Sequence, residues 1–306
     1  MYQFSQTLQT ALAAGNPQRA LLEFTHKPDG TAYDPAVQFS NEDILLSKGI
    51  RLTEEFNSET DLRIGLCPSA SIRFDMLNDV NQLAEFEFGT FTAYLGCRID
   101  SGTPGENAKT KTFMERGQEA VYEFAPLGTF IAERPAIVKK KIIDMIANDQ
   151  MILFDAPMPD AETLGISYPV TLGALCAAIC ANVGVTLKDE TWLNSTMTVQ
   201  EEPYDFEGST MRDVLGWIAA AACSNARFSR DGKLAFIWFN PVEKTFDEHD
   251  YTEFRPTWYE TKPIDGLDIQ NSDSQNGITI GEGENIYNLY DNPFFRQPDT
   301  MNSWDE

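Results

Sequence analysis

Polar and apolar positions alternate in short runs through much of the first half of the chain. In "DLRIGL" the residues Leu62, Ile64 and Leu66 fall on one face, in "SIRFDML" Ile72, Phe74 and Met76 do, and "EFEFGTF" continues with Phe86 and Phe88. A period of two puts successive side chains on opposite faces of an extended chain, so each run predicts a half-buried strand. "VYEFAPLGTFIAERP" predicts two strands joined at 126–128 and closed by Pro135, and "KKKIIDMIANDQMILFD" alternates through Ile143, Met145 and Ala147. Upstream, Phe4, Leu8 and Leu12 recur every four residues, predicting a helical arm that leads into a short strand, "ALLEFTH", ended by the turn "KPDG". Short strands between Gly, Pro and Asn breaks, with almost no helix, point to an antiparallel barrel or sandwich.

The period changes between about 156 and 240. In "YPVTLGALCAAICANVG" the positions Leu172, Leu175, Cys176, Ile179, Cys180 and Val183 follow the i, i+3, i+4, i+7 rule of one helix face. Thr171 is placed as its N-cap and Gly184 as its C-terminal cap. "STMRDVLGWIAAAACS" predicts a second helix capped at Ser209 or Thr210, with Asp213 in its first turn and a stripe of Val214, Leu215, Ile218 and Ala222. "ARFSRDGKLAFIWF" reads as a hairpin around Gly232. Two helices and a hairpin make a compact α+β unit.

Strand patterns return after 240, between acidic loops. "ITIGEGENIYNLYDNPFF" contains a Gly-x-Gly, but a dinucleotide loop needs a strand before it and a long helix after it. Here "IYNLY" alternates like a strand, Pro293 forbids a helix, and Glu282 and Glu284 would repel a phosphate. The reading is a turn at Gly281 and Gly283, a strand anchored by Ile286, Tyr287 and Leu289, and a stop at Pro293.

Composition adds one strong fact. With 23 basic against 47 acidic residues in 306, the net charge is −24, which speaks against a general grip on nucleic acid. Acid keeps a protein soluble; it also keeps an anionic polymer from sticking. The lysine run 139–141 reads as a solvated strand edge. No run approaches the ~18 apolar residues of a membrane span, and the start of the chain lacks the basic region and apolar core of a secretory signal. Five cysteines without paired spacing fit a reducing compartment, and Cys176 and Cys180, four apart, read as small core residues rather than metal ligands. The two histidines, His26 and His249, read as solvated loop residues. HExxH, GxSxG, Walker and CxxC patterns are all missing, and Glu54-Glu55, Glu201-Glu202 and Asp247-Glu248 read as solvated pairs. No cofactor, metal or catalytic residue is expected.

Several words of the sequence, taken in order, resemble the hub proteins at the distal end of bacteriophage and prophage tails, including the hub module of tail-associated proteins. They are "FSNEDILLSKGIRL", "DLRIGLCPSASIRFDMLND", "PLGTFIAERP" with "KKKIIDMIANDQMILFD", "YPVTLGALCAAICANVGV", "STMRDVLGWIAAAA" with "NARFSRDGKLAF", and "KPIDGLDIQ" with "GEGENIYNLYDNPFF". They cover about 40 to 295; no single word is specific, and the order and spacing carry the likeness. The resemblance implies an α+β fold, mostly antiparallel β, with two barrel-like, tail-tube-like domains, a small α+β domain inserted between them, and an N-terminal helical arm. The expected divisions are 1–35 for the arm and first strand, 36–155 for the first barrel, 156–240 for the α+β domain and 241–306 for a second β domain incomplete at its C-terminus.

It also implies a homotrimeric structural protein of the virion tail tip, assembled in the host cytoplasm, that adapts the tail tube to the tip and lines the path for DNA ejection. The implied partners are other copies of itself, the distal tail or adaptor ring, the tape measure protein, and spike, fibre or receptor-binding components. DNA would pass without specific binding, since an acidic wall repels phosphate within a Debye length of about 8 Å. The residues expected to carry the architecture are Gly281, Gly283, Ile286, Tyr287, Leu289 and Pro293 in the last strand, and Leu172, Leu175, Ile179, Val214, Leu215 and Ile218 in the two helices. Two other classes fit parts of the sequence: a carboxylate-based cell-wall hydrolase, and a carbohydrate-binding module using some of Trp192, Trp217, Trp238, Trp258 and Trp304.

Overall fold

The computed structural model describes residues 4–45, 49–54, 64–77, 86–100, 103–106, 108–139, 142–200, 208–237, 267–269 and 278–280. Nine strands form one antiparallel sheet: β1 (Gln18–His26), β2 (Ala32–Ser40), β3 (Arg51–Thr53), β4 (Ser71–Leu77), β5 (Thr90–Arg98), β6 (Lys109–Glu115), β7 (Gln118–Ala132), β8 (Ala136–Lys139) and β9 (Ile142–Asp149). The hydrogen-bonded order is β2-β1-β5-β7-β9-β4-β3, with β6 on β7 and β8 on β9. The molecule is thus mostly antiparallel β with few helices.

The alternation in β4 and β9 sets the sheet's inner face. Ile72, Phe74 and Met76 oppose Ala147, Met145 and Ile143 in register, and all six are buried. Phe24, Phe91 and Phe130 join them, with ring centroids 4.8 Å apart for Phe24–Phe91 and 5.9 Å for Phe91–Phe130. Half-buried Val37 and Phe39 of β2 and Leu52 of β3, from the two ends of the order, pack on this same core, so the sheet curls around it. No closed barrel forms among the described residues: β2 does not pair with β3 or β4, and the segment just after it, 41–45, meets β4 at an isolated bridge, Ile44 to Met76.

Strand β1, expected as the first strand after a helical arm, lies inside the sheet between β2 and β5. The division expected at 35 falls within β2. Both faces of β1 are covered: Leu22 and Phe24 enter the main core, while Leu21 packs on the opposite face with Tyr122 and Phe124, which explains its unbroken apolar run. Helix α1 (Gln6–Ala13) is capped by Ser5, and its Leu8 and Ala11 are buried against Cys97 and Ala125, so it lies on the sheet.

Three expectations fail for local reasons. "VYEFAPLGTFIA" is one strand rather than two, because Leu127 is bulged out of the β5–β7 ladder between Pro126, opposite Tyr94, and Gly128, opposite Ala93. The extra residue bends the strand without ending it. Phe88 has φ 58° and is 54% exposed in the turn before β5, so 86–88 are not part of that strand. Residues 64–70 of the run read as "DLRIGL" onward are not a strand of the sheet either; Ile64 is 47% exposed, and the backbone of 65–66 bonds instead to 224–226.

After β9 the chain enters a 3-10 turn, Gln150–Asp155, capped by Asp149. Met151 and Phe154 of that turn are fully buried in a second core, with helix α2 (Ala161–Leu164), strand β10 (Val170–Thr171), helix α3 (Leu172–Asn182), strand β11 (Thr198–Val199), helix α4 (Met211–Ala221), and the hairpin β12 (Asn225–Phe228) and β13 (Leu234–Ile237) around it. The Thr171 hydroxyl accepts from the Ala174 amide at 3.2 Å, and Gly184 takes φ 73° after α3. At α4 a full capping box forms: Thr210 Oγ1 accepts from the Asp213 amide and Asp213 Oδ2 accepts from the Thr210 amide. Thr210→Ala is therefore expected to lower stability by about 1 kcal/mol, read as a shift in the denaturant midpoint with an unchanged slope. Beyond 237, the described residues are β14 (Leu267–Ile269) paired antiparallel with β15 (Ile278–Ile280).

Candidate functional site

Several of the described titratable groups brace the fold. His26 is exposed at the end of β1, and among the described residues no group of three His, Cys, Asp or Glu could hold a metal. Cys176 and Cys180 lie buried in α3; their mutual hydrogen bond and burial push the Cys176 thiol well up. Burial likewise pushes Cys67 up to about 12. Such thiols stay protonated and unreactive. Asp149 is 5% exposed and raised by burial, but its carboxylate accepts from the Ala70 amide, Ser69 Oγ and the Met151 amide, a backbone-bracing role.

A charged network covers the sheet's outer face. Arg19 donates to Glu42 at 2.6 Å and to Glu115 at 3.2 Å, with its guanidinium 4.3 Å from the Phe113 ring centre. Tyr122 donates to the same Glu115 at 2.6 Å, and Lys109 pairs with Glu23 beneath Tyr94. Arg19 and Glu23 of β1 are thus paired with Glu115 and Lys109 of β6. The hydrogen bond from Arg19, then that from Ser40, lowers Glu42 from 4.5 to about 2. A depressed carboxylate contributes stability above its unfolded pKa and loses it as pH falls through the folded value. Stability is therefore expected to decline between pH 4.5 and about 2. Arg19→Met should flatten that acid limb in a titration of the thermal midpoint. The effect is small, because the Glu42 side chain is 61% exposed.

The sheet meets the α+β unit at a polar junction. The Gly65 amide donates to Ser224 O at 2.8 Å, the Ala226 amide to Leu66 O at 2.9 Å, and the Leu66 amide to Oδ1 of the fully buried Asn225 at 2.8 Å. Gly65 (φ 82°) has no room for a side chain: a Cβ there would stand 2.9 Å from both Gly216 O and Ala220 Cβ. On the other side of the junction Glu54 binds Arg227 at 3.1 Å and Arg230 at 2.7 Å, and Arg230 Nη1 donates to Leu127 O at 2.6 Å. Beside the junction lies an apolar groove of about 480 Å³, lined by Ile64, Trp192, Leu193, Cys223 and Phe236.

Of the residues singled out from sequence, Leu172, Leu175, Ile179, Val214, Leu215 and Ile218 are all 0% exposed in the α+β core. Gly281, Gly283, Ile286, Tyr287, Leu289 and Pro293 lie outside the described residues, as do His249, Trp238, Trp258, Trp304 and the pairs Glu201-Glu202 and Asp247-Glu248. Lys140 and Lys141 lie outside them too; Lys139 ends β8. Trp217 packs on the α+β core, and Trp192 packs on Phe236 with centroids 4.4 Å apart and ring planes tilted by 37°. The junction residues were not anticipated. Glu54 read as a solvated acid, and the only signal was a pair of arginines flanking the hairpin turn in "RFSRDG".

No family model matches the sequence. Among solved structures, the chain is similar to the 43 kDa tail protein of prophage MuSo2 from Shewanella oneidensis, with 12% identity over 89% of this chain and 70% of that one and a TM-score of 0.43. A likeness at that score carries no conclusion about function.

Proposed function

We propose that the chain is a structural, non-catalytic component of a phage or prophage tail: the hub at the distal end, where three copies form a ring that joins the tail tube to the tip. The observation that carries this reading is the order of parts. A curled antiparallel sheet comes first, then two capped helices with a hairpin, then antiparallel pairing again at β14 and β15. That is also the order in which the tail-hub words run along the sequence. The internal pairing of Arg19, Glu115 and Tyr122 and the burial of Cys67 suit scaffolding.

In the ring, the net charge of −24 per copy keeps DNA moving past the wall. Further copies of the chain, the adaptor ring and tape measure above, and spike or fibre proteins below are the partners of this reading. Its test joins mass in solution with peptidoglycan zymography. A threefold assembly without lytic activity is the expected result. A lytic band abolished by changing one acidic pair would replace the hub with a cell-wall hydrolase.

A further inference from the structure

Left-handed backbone is unfavourable for a residue that carries a side chain, and such strain collects where a protein holds a ligand or partner. Among the described residues four non-glycine residues adopt it: Phe88, Arg116, Asn194 and Cys223. Three of the four stand at two apolar surface features, one convex and one concave.

The convex feature is Phe88, 54% exposed on a turn that is itself well fixed. The Phe88 amide donates to Ala132 O at the end of β7, and the Ala132 amide donates to Gly89 O, both at 2.9 Å. An aromatic ring carried on braced backbone loses little freedom on docking. Next to it in the chain, Glu87 pairs with Arg134, whose side chain is 79% exposed. An exposed aromatic beside an arginine is the composition of an interface hot spot.

The concave feature is the apolar groove of about 480 Å³ beside the junction. Its walls are braced in the same way. The Asn194 side-chain amide donates to Ala221 O at 2.7 Å, holding the 192–195 turn against the end of α4. Cys223 follows in the closing turn of that helix, where its amide bonds to Ala220 O. Glycine is the usual residue at such a turn; here a thiol stands exposed on the groove instead. Leu193 is 62% exposed beside it, and the exposed Asp189 and Glu190 lead into Trp192. Arginine beside the knob and acid beside the groove are complementary. Phe88 does not line the groove of its own chain, so the two features meet between copies.

We propose that Phe88 of one copy seats in the groove of a second copy, against Trp192, Leu193 and Cys223, with Arg134 facing Asp189 and Glu190. The contact is heterologous: each pair keeps one free knob and one free groove, so further copies close a ring or run on as a filament. It deepens the tail reading by naming the contact between copies. An open filament through this contact would keep the contact and sink the threefold ring.

Complementation of full-length variants in sedimentation velocity tests it. Phe88→Asp and Leu193→Asp should each weaken self-association at least about tenfold. An equimolar mixture of the two should form a 1:1 dimer and nothing larger, because only one intact knob and one intact groove remain per pair. In Phe88→Cys, oxidation by copper-phenanthroline in air should join the introduced thiol to Cys223 of another copy, a link read by peptide mass and lost when Cys223→Ser is added. Should an aspartate variant not fold, the cross-link decides alone. A native protein that stays monomeric, a mixture that does not dimerise, or a cross-link that bypasses Cys223 would overturn the contact.

Discussion

Leu175→Asp is expected to unfold the α+β unit. Leu175 is 0% exposed in the middle of α3 and sits in a core of Ile179, Leu215, Ile218 and Phe228. The substitution removes a buried branched side chain, which alone costs about 2–5 kcal/mol, and leaves a carboxylate without a partner in its place. The combined loss, above about 4 kcal/mol, is a large share of the 5–15 kcal/mol that holds a typical domain folded. Because the sheet has its own core, the expected spectrum is a mixed one. Amide resonances of 161–237 should collapse toward random-coil positions, and those of β4, β5 and β9 should keep their dispersion. A fully dispersed spectrum would contradict the burial of α3.

Phe91→Ala should have the largest effect within the sheet. Phe91 is 0% exposed, and its ring contacts Phe24 at 4.8 Å, Phe130 at 5.9 Å and Phe74 at 6.0 Å. Neighbouring strands are tied by hydrogen-bonded ladders and cannot move in to fill the space. The loss should therefore approach the upper part of the about 3–5 kcal/mol seen for buried phenylalanine truncations. Phe113→Ala, at the half-buried outer cluster, should cost less, and the difference should appear in denaturant midpoints measured side by side. Equal losses would mean that the sheet's two faces are equally buried at these positions.

What could be read from the sequence was what depends on neighbours in the chain. The helix stripe through Leu172, Leu175 and Ile179, the caps at Thr171 and Thr210, and the alternation in β4 and β9 are set within a few residues, and the structure repeats them. The bulge at Leu127 was hidden because Pro126 and Gly128 are also the residues of a turn; only the β5 partner shows that the strand continues. β1 was read as a short strand after the arm, but its place between β2 and β5, with burial on both faces, depends on partners far along the chain. The junction was the least legible part. Glu54 and Arg230 are far apart in the sequence, and one acid among 47 carries no local mark of the arginines it will meet. Residues 65–66 alternate like their neighbours, yet their backbone partners are 224 and 226.

The acidity has the same ambiguity. Part of the described charge is spent in pairs such as Arg19 with Glu115 and Lys109 with Glu23, which tie β6 to β1. The hub reading needs the remainder to face a passage that DNA traverses without binding.

Electron microscopy of tail particles carrying a label on this chain would decide whether it is the hub. Label at the distal end only, on a threefold ring with an axial opening, is the expected result. Label distributed along the tube, or absent from tails that are otherwise complete, would contradict the hub reading.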